Sequence, residues 1–344
     1  MRLIAGSSPL VVFGSALLNR RQLLLFSSSS FSLLLSGSTA MSTSARTTNN
    51  VVIDSHLHVW ADTNQAAANY PWIQEPPDNL KDAGSTEQLI QQMDANNVDG
   101  ALIVQPINHQ FDHSYILNAI RRYPRRFKGM MLHDPSQSAE QAVGTLENLV
   151  RQGCVGVRFN PYLWPITDSG WEPMSQSAAG LAVYKRCGEL SLPVGIMCFQ
   201  GLDLHYSDIL DLIEASPETN LILDHFGFCS LKKPQQFQQL LELSRYPQVH
   251  VKVSALFRLD DKSDSFERVR KERFLPLLEA YGADRLLYGS DFPFVLEQQQ
   301  GYGMVNLVSN WIEDDGDRSF IMGGTSERLF GPWSGAATTE SPQR

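Results

Sequence analysis

The sequence predicts an α/β protein folded as a single (β/α)8 TIM barrel, and three observations carry that expectation. Eight short, nearly continuous apolar runs recur between residues 51 and 290, as parallel strands buried on both faces do. Segments with helical start and stop signals separate them, the alternation expected of a parallel sheet. No linker breaks the stretch 51–332, and about 250 residues are enough for one such barrel. An open doubly wound sheet is the competing fold. No GxGxxG or GxxxxGK follows the first run, so its usual nucleotide-binding role has no support.

Taken in order, the first strand is expected over 51–58. Ser85-Thr86-Glu87-Gln88 then opens a helix with capping-box spacing, and Leu89, Met93 and Val98 supply its apolar stripe. The second and third strands fall at 100–105 and 127–133. A helix over 137–152 stops at Gly153, a common C-terminal residue. Strand 155–160, helix 178–190, strand 193–198 and helix 206–215 continue the alternation, followed by strand 221–225 and helix 234–245. Strand 249–255, helix 266–281 and strand 285–290 complete it. Residues 333–344, rich in small and hydroxyl side chains, are expected to be a disordered tail.

The first 50 residues differ in kind. They hold Arg2, Arg20, Arg21 and Arg46, no Asp or Glu, and serines at 27–30. That composition predicts a transit peptide or disordered extension over 1–50, directed to the chloroplast, with the mitochondrion as alternative and a secretory signal as a weaker rival. Its apolar stretches, 9–18 and 23–35, are short or broken by serine. Both fall below the roughly 20 apolar residues of a membrane span, so no membrane association is expected. Met41, followed by Ser-Thr-Ser, offers an internal start that would give a cytosolic form.

Net charge is −9 for the whole chain, and removing those four arginines takes it to −13. No basic run is present, which excludes nucleic acid as an expected partner. The expected partner is a small-molecule substrate, with the chain a monomer or homodimer. Cys154, Cys187, Cys198 and Cys229 show no paired spacing and sit in apolar or helical runs, as buried thiols do rather than a disulfide framework.

Active sites of such barrels lie at the C-terminal ends of the strands. The first strand ends in His56-Leu57-His58, where residues two apart share one face. The fourth ends with Arg158 and Asn160, the sixth with Asp224-His225, the seventh with Lys252 and Ser254, and the eighth with Gly289-Ser290-Asp291. A lone histidine at a strand end is more often a satisfied hydrogen-bonding residue. Three converging with an aspartate in an apolar stretch are not explained by packing, because an unused carboxylate there is costly. The candidate catalytic residues are therefore His56, His58, His225 and Asp291. Candidate substrate contacts are Arg158, Asn160, Arg258, Trp60 and Trp164. His133, His109, Asp112, His113, Trp72 and His205 rank lower, and His250 begins the seventh strand at the opposite end.

These motifs carry a family resemblance. Asp54-Ser-His-Leu-His-Val-Trp60 with Tyr70-Pro71-Trp72 resembles the opening of amidohydrolase-type sugar lactonases. Gly156-Val-Arg158-Phe-Asn160, Leu223-Asp-His225-Phe-Gly227 and Tyr288-Gly-Ser-Asp291-Phe-Pro293 are similar to that group's later motifs, in the same order, from about residue 51 to 330. The resemblance implies an amidohydrolase-superfamily barrel whose known members include lactonases for aldonic sugars and for pyrone dicarboxylate. Metal-dependent members usually place a histidine after the fifth strand, where this chain reads Cys198-Phe-Gln200. The resemblance thus implies no obligatory metal. A single zinc, if bound, would be held by His56, His58 and Asp291, an accepted three-ligand arrangement with water in the fourth position. The dicarboxylate-specific members carry an arginine where this chain has Phe228, and another near Leu163-Trp164. With Tyr162 and Trp164 in that loop, a neutral sugar ring is expected rather than a dianion.

The mechanism expected is lactone hydrolysis. Asp291 takes a proton from water, and His56, His58 and His225 polarise the carbonyl oxygen. Two rivals are a metal-dependent decarboxylase-type lyase, which shares the HxH pair and the eighth-strand aspartate, and a catalytically inactive ligand-binding barrel.

Overall fold

The computed structural model describes residues 51–333 apart from 169, 260, 262 and 264, so the expected leader and the tail beyond 333 lie outside the described residues. Eight parallel strands form one sheet in sequence order. They are β1 Ile53–Leu57, β2 Gly100–Val104, β3 Phe127–Leu132, β4 Cys154–Phe159, β5 Val194–Ile196, β6 Leu221–Leu223, β7 Val249–Ser254 and β8 Leu286–Gly289. The last edge returns to the first just above β8. There Asp291 N–H donates to the His56 carbonyl at 2.8 Å and His58 N–H donates to the Phe292 carbonyl at 2.7 Å. The fold is the expected TIM barrel.

A helix follows each strand: α1 Thr86–Ala95, α2 Ser114–Arg122, α3 Ala139–Arg151, α4 Ala178–Glu189, α5 Tyr206–Ala215, α6 Pro234–Glu242, the composite α7, and α8 Met304–Trp311. Ser85, Ser138 and Ser177 cap α1, α3 and α4 by accepting backbone N–H groups, each contributing about 1 kcal/mol. Past α3, Gly153 takes a φ of +108°, a region open to glycine and costly for other residues. Helix α7 consists of Glu267–Val269, a wide turn Arg270–Phe274 and Leu275–Tyr281. The turn lies just ahead of Pro276, which has no N–H to donate to a regular ladder. Two helices, α2 and α8, lack counterparts among the sequence expectations. Each buries an apolar face, led by Tyr115, Ile116 and Ile120 in α2 and Val305, Val308 and Trp311 in α8. No described helix is long and apolar enough to cross a membrane.

The larger core lies between barrel and helices. A smaller one fills the lower barrel with Ile53, Leu102, Val104, Met130, Ile222 and Leu287, closed from below by Phe330 and Trp333. Composition places the start of the tail at residue 333. Trp333 is instead buried, its ring beneath the Lys128 ammonium at 4.8 Å, because the open end of the barrel needs an apolar plug. The lower half being packed shut, the site is confined to the upper mouth.

Candidate active site

The upper mouth holds a cavity of about 410 Å³. Its floor carries His58, His225, Asp291 and Arg158. Its walls carry Trp60, Met197, Phe199, Phe228 and Phe294, and its polar rim includes Gln74, Asn108, Asn160 and Arg258.

Asp291 is the hub. Its Oδ1 lies 4.0 Å from His56 Nε2, 3.6 Å from His58 Nε2 and 3.8 Å from His225 Nε2. Its Oδ2 accepts from Arg258 Nε at 2.9 Å. Burial pushes the Asp291 carboxyl up to about 6 against the opposing pull of Arg258. Backbone conformation delivers these groups. His225 and Asp291 have φ of 51° and 62°, sparsely populated for residues with a Cβ and tolerated best by Asn, Asp and His. The strands therefore stop short and their last residues swing inward. Gly289 completes the seam, since a Cβ there would lie 2.7 Å from His56 Cβ.

Each histidine is anchored through Nδ1. His58 Nδ1 lies 2.8 Å from the Val104 carbonyl, which can only accept, so the hydrogen sits on Nδ1. Burial, then the neighbouring His56 and Arg158, holds His58 well below its usual range and therefore neutral. Its Nε2 then presents a lone pair to the cavity. This corrects the expected role of His58: a neutral imidazole with that tautomer accepts a hydrogen bond and cannot donate one to a carbonyl oxygen. His225 Nδ1 meets Ser254 Oγ at 2.7 Å. Burial and then His56 also hold His225 well below its usual range. His56 Nδ1 faces Lys252 Nζ at 2.9 Å and Asp224 Oδ1 at 3.1 Å. Burial and then Lys252 lower His56 to about 3.

Beneath the histidines lies a charged chain. Lys252 Nζ is 3.2 Å from Asp224 Oδ1, and Arg158 Nε donates to Asp224 Oδ2 at 3.1 Å. Burial opposes charge on Asp224, yet Lys252, His56 and Arg158 outweigh it and hold its carboxyl well below the usual range. Asp224, Lys252 and Ser254 stand at the expected strand ends, and they pair with His56 and His225, contacts between strands that spacing along the chain does not encode. One signal exists in the sequence: Lys252 and Ser254 are two apart on β7 and share its inward face.

The other candidates divide. Arg158, Asn160, Arg258 and Trp60 line the cavity, although the Trp60 N–H is committed to the Lys81 carbonyl. Trp164 does not join them. It is 2% exposed and packs on His133 and Phe159 outside the barrel wall, because the chain turns outward at Pro161–Leu163. His109 and His113 hold loop backbone at Ala61 and Leu132, while His205 meets the Tyr162 hydroxyl.

His56, His225 and Asp291 each offer a ligand atom, all within 4.8 Å of one another. His225 thus takes the place expected for His58 in a metal-binding set. His56 Nε2 is buried without a hydrogen-bond partner among the described residues. The imidazole and carboxylate donors fit a zinc-like dication.

The amidohydrolase family profile matches residues 53–331. Over 299 residues the chain is 27% identical to a 4-sulfomuconolactone hydrolase of Hydrogenophaga intermedia, covering 81% of this chain and 88% of that protein. The crystal structure of a putative 2-pyrone-4,6-dicarboxylic acid hydrolase from Pseudomonas putida aligns with a TM-score of 0.63 and 26% identity, over 82% of this chain and 98% of that one. A manganese-bound dihydroxybenzoic acid decarboxylase from Polaromonas sp. JS666 shares the fold with a TM-score of 0.60 at 15% identity, over 82% and 97% of the two chains.

Proposed function

The chain belongs to the amidohydrolase family, and on that premise we propose that it hydrolyses a cyclic ester, a neutral sugar lactone being the substrate that suits the cavity. One observation carries this: three neutral imidazoles set their Nε2 atoms 3.6–4.0 Å from one buried carboxylate oxygen at the floor of a substrate-sized cavity. Water between Asp291 and His58 finds two acceptors there. Asp291 takes one of its protons as the oxygen attacks the carbonyl carbon. His56 and His225 donate from Nε2 to the carbonyl oxygen as it becomes negative. The ring C–O bond then breaks and the leaving alkoxide recovers the proton from Asp291.

Support for a lactone comes from the curated relative, a 4-sulfomuconolactone hydrolase, and from the neighbouring structure described as a putative 2-pyrone-4,6-dicarboxylic acid hydrolase. Support for a neutral ring comes from the rim. Gln74, Asn108 and Asn160 bring amides, which both donate to and accept from hydroxyls. Arg158 and Arg258 are each engaged by a carboxylate. A zinc ion, where loaded, would be held by His56, His225 and Asp291 and would supply Lewis-acid polarisation. In this proposal the histidines do that themselves and metal is not obligatory.

The test is acid release from sugar lactones, pyrone lactones and simple esters, followed with a pH indicator on chelator-treated protein before and after zinc. Turnover of a sugar lactone before zinc supports the proposal. Turnover confined to pyrone dicarboxylates removes the neutral-ring assignment. No turnover of any ester removes the hydrolase assignment.

A further inference from the structure

Lys252 is 0% exposed, sits mid-strand in β7, and is not among the residues lining the cavity. A buried ammonium is expensive, so its partners indicate what it does. Those partners are Asp224 Oδ1 at 3.2 Å and His56 Nδ1 at 2.9 Å. We propose that Lys252 is a positioning residue that fixes the His56 hydrogen on Nε2, making this histidine a hydrogen-bond donor to the reacting oxygen and opposing its use as a metal ligand.

The argument is one of donors and acceptors. An ammonium has hydrogens on every face and no lone pair. Whatever atom meets it at 2.9 Å must supply a lone pair, and here that atom is Nδ1. A neutral imidazole carries one hydrogen, which is then on Nε2. The opposite tautomer would satisfy Asp224 at 3.1 Å but would aim Nδ1–H at the ammonium. The carboxylate keeps its own donors in Lys252 and Arg158, so it does not need the imidazole hydrogen. His58, by contrast, is held in the other tautomer by the Val104 carbonyl. Two histidines two residues apart at the end of β1 therefore present opposite polarities: His56 an N–H, His58 a lone pair.

A metal ion bound through His56 Nε2 requires a lone pair at that atom, so the hydrogen must move to Nδ1 and break the bond from Lys252. Metal and Lys252 thus compete for the same imidazole. The inference builds on the lactonase proposal for its kinetic consequence, but the tautomer itself is measurable without any substrate.

The decisive experiment is nitrogen NMR of protein labelled at histidine, with the His56 signals assigned by their loss in H56Q. The expected spectrum has His56 protonated at Nε2 and unprotonated at Nδ1, with His58 reversed. A His56 hydrogen on Nδ1 in the wild-type protein overturns the proposal, whatever becomes of any variant. In K252M, zinc titrated by calorimetry is expected to bind at least about tenfold more tightly, the scale of a ligand's supporting interaction. Zinc affinity unchanged from wild type also overturns it. On whichever lactone proves active, kcat of metal-free K252M is expected to fall about 100-fold with KM little changed, the size of losing one oxyanion donor. If no lactone is turned over, the spectrum and the titration still decide the matter while the substrate assignment falls alone.

Discussion

Asp291 and His56 are joined twice: the Asp291 N–H donates to the His56 carbonyl at 2.8 Å, and their side chains face each other with Oδ1 4.0 Å from Nε2. The backbone bond is also the one that closes the barrel. Closure of the fold and the approach of this carboxylate to this imidazole are therefore one event, and their separation is set by strand geometry. Four predictions follow from this arrangement and its surroundings.

Replacement of the hub tests the chemistry. D291N keeps the shape and loses the base, so kcat should drop by about 10²–10⁴-fold, the usual contribution of general-base catalysis. Circular dichroism of the variant should match wild type. Retention of most activity would falsify the assignment of Asp291.

The same carboxyl sets the pH dependence. Burial pushes Asp291 up to about 6, and only the ionised form can accept a proton from water. kcat/KM should be flat above that value and fall roughly tenfold per pH unit below it. An inflection near 3.8, its ordinary value, would mean that the carboxyl is not held in a dry site. Stability runs the other way. The folded pKa lies above the unfolded one, so the stability linked to Asp291 is present below 3.8 and is lost as pH rises through about 6. Denaturant unfolding of D291N should lack that component.

A test of charge specificity falls on Phe228, which lines the cavity with its ring 5.0 Å from that of His225. F228R adds a guanidinium beside the cavity that no carboxylate of the described site already holds. Its KM for a pyrone dicarboxylate should fall about tenfold, the size of one charge-assisted hydrogen bond, while neutral lactones lose ground. Equal effects on neutral and anionic lactones would show that this wall does not read charge.

Gly289 is required by the approach of β8 to β1. A Cβ at that position would lie 2.7 Å from His56 Cβ and 3.0 Å from His56 N, with backbone on one side. G289A should cost about 1–3 kcal/mol, the range for overpacking a well-filled interior, read as a lower denaturant midpoint. Its kcat should fall as well, because the displaced residue is His56. A variant as stable as wild type would mean that the seam has room to spare.

The sequence by itself determined the barrel and the residues at its mouth. Strand burial on both faces leaves continuous apolar runs, a capping box leaves Ser85 three residues ahead of Gln88, and a two-residue repeat brings His56 and His58 to one side. These are local signals, and together with the strand ends they nominated His56, His58, His225 and Asp291. Tertiary structure alone decided how each is held. The tautomer of His58 depends on a carbonyl 46 residues away in β2, and that of His56 on Lys252, 196 residues away in β7. Trp164, in a loop whose direction no periodicity encodes, turned outward to the core. His225 and Asp291 reach the cavity through backbone conformations that local preference disfavours and barrel closure imposes. Side-chain periodicity records which face of an element is buried. Hydrogen-bond polarity is set by whatever atom the closed barrel brings opposite.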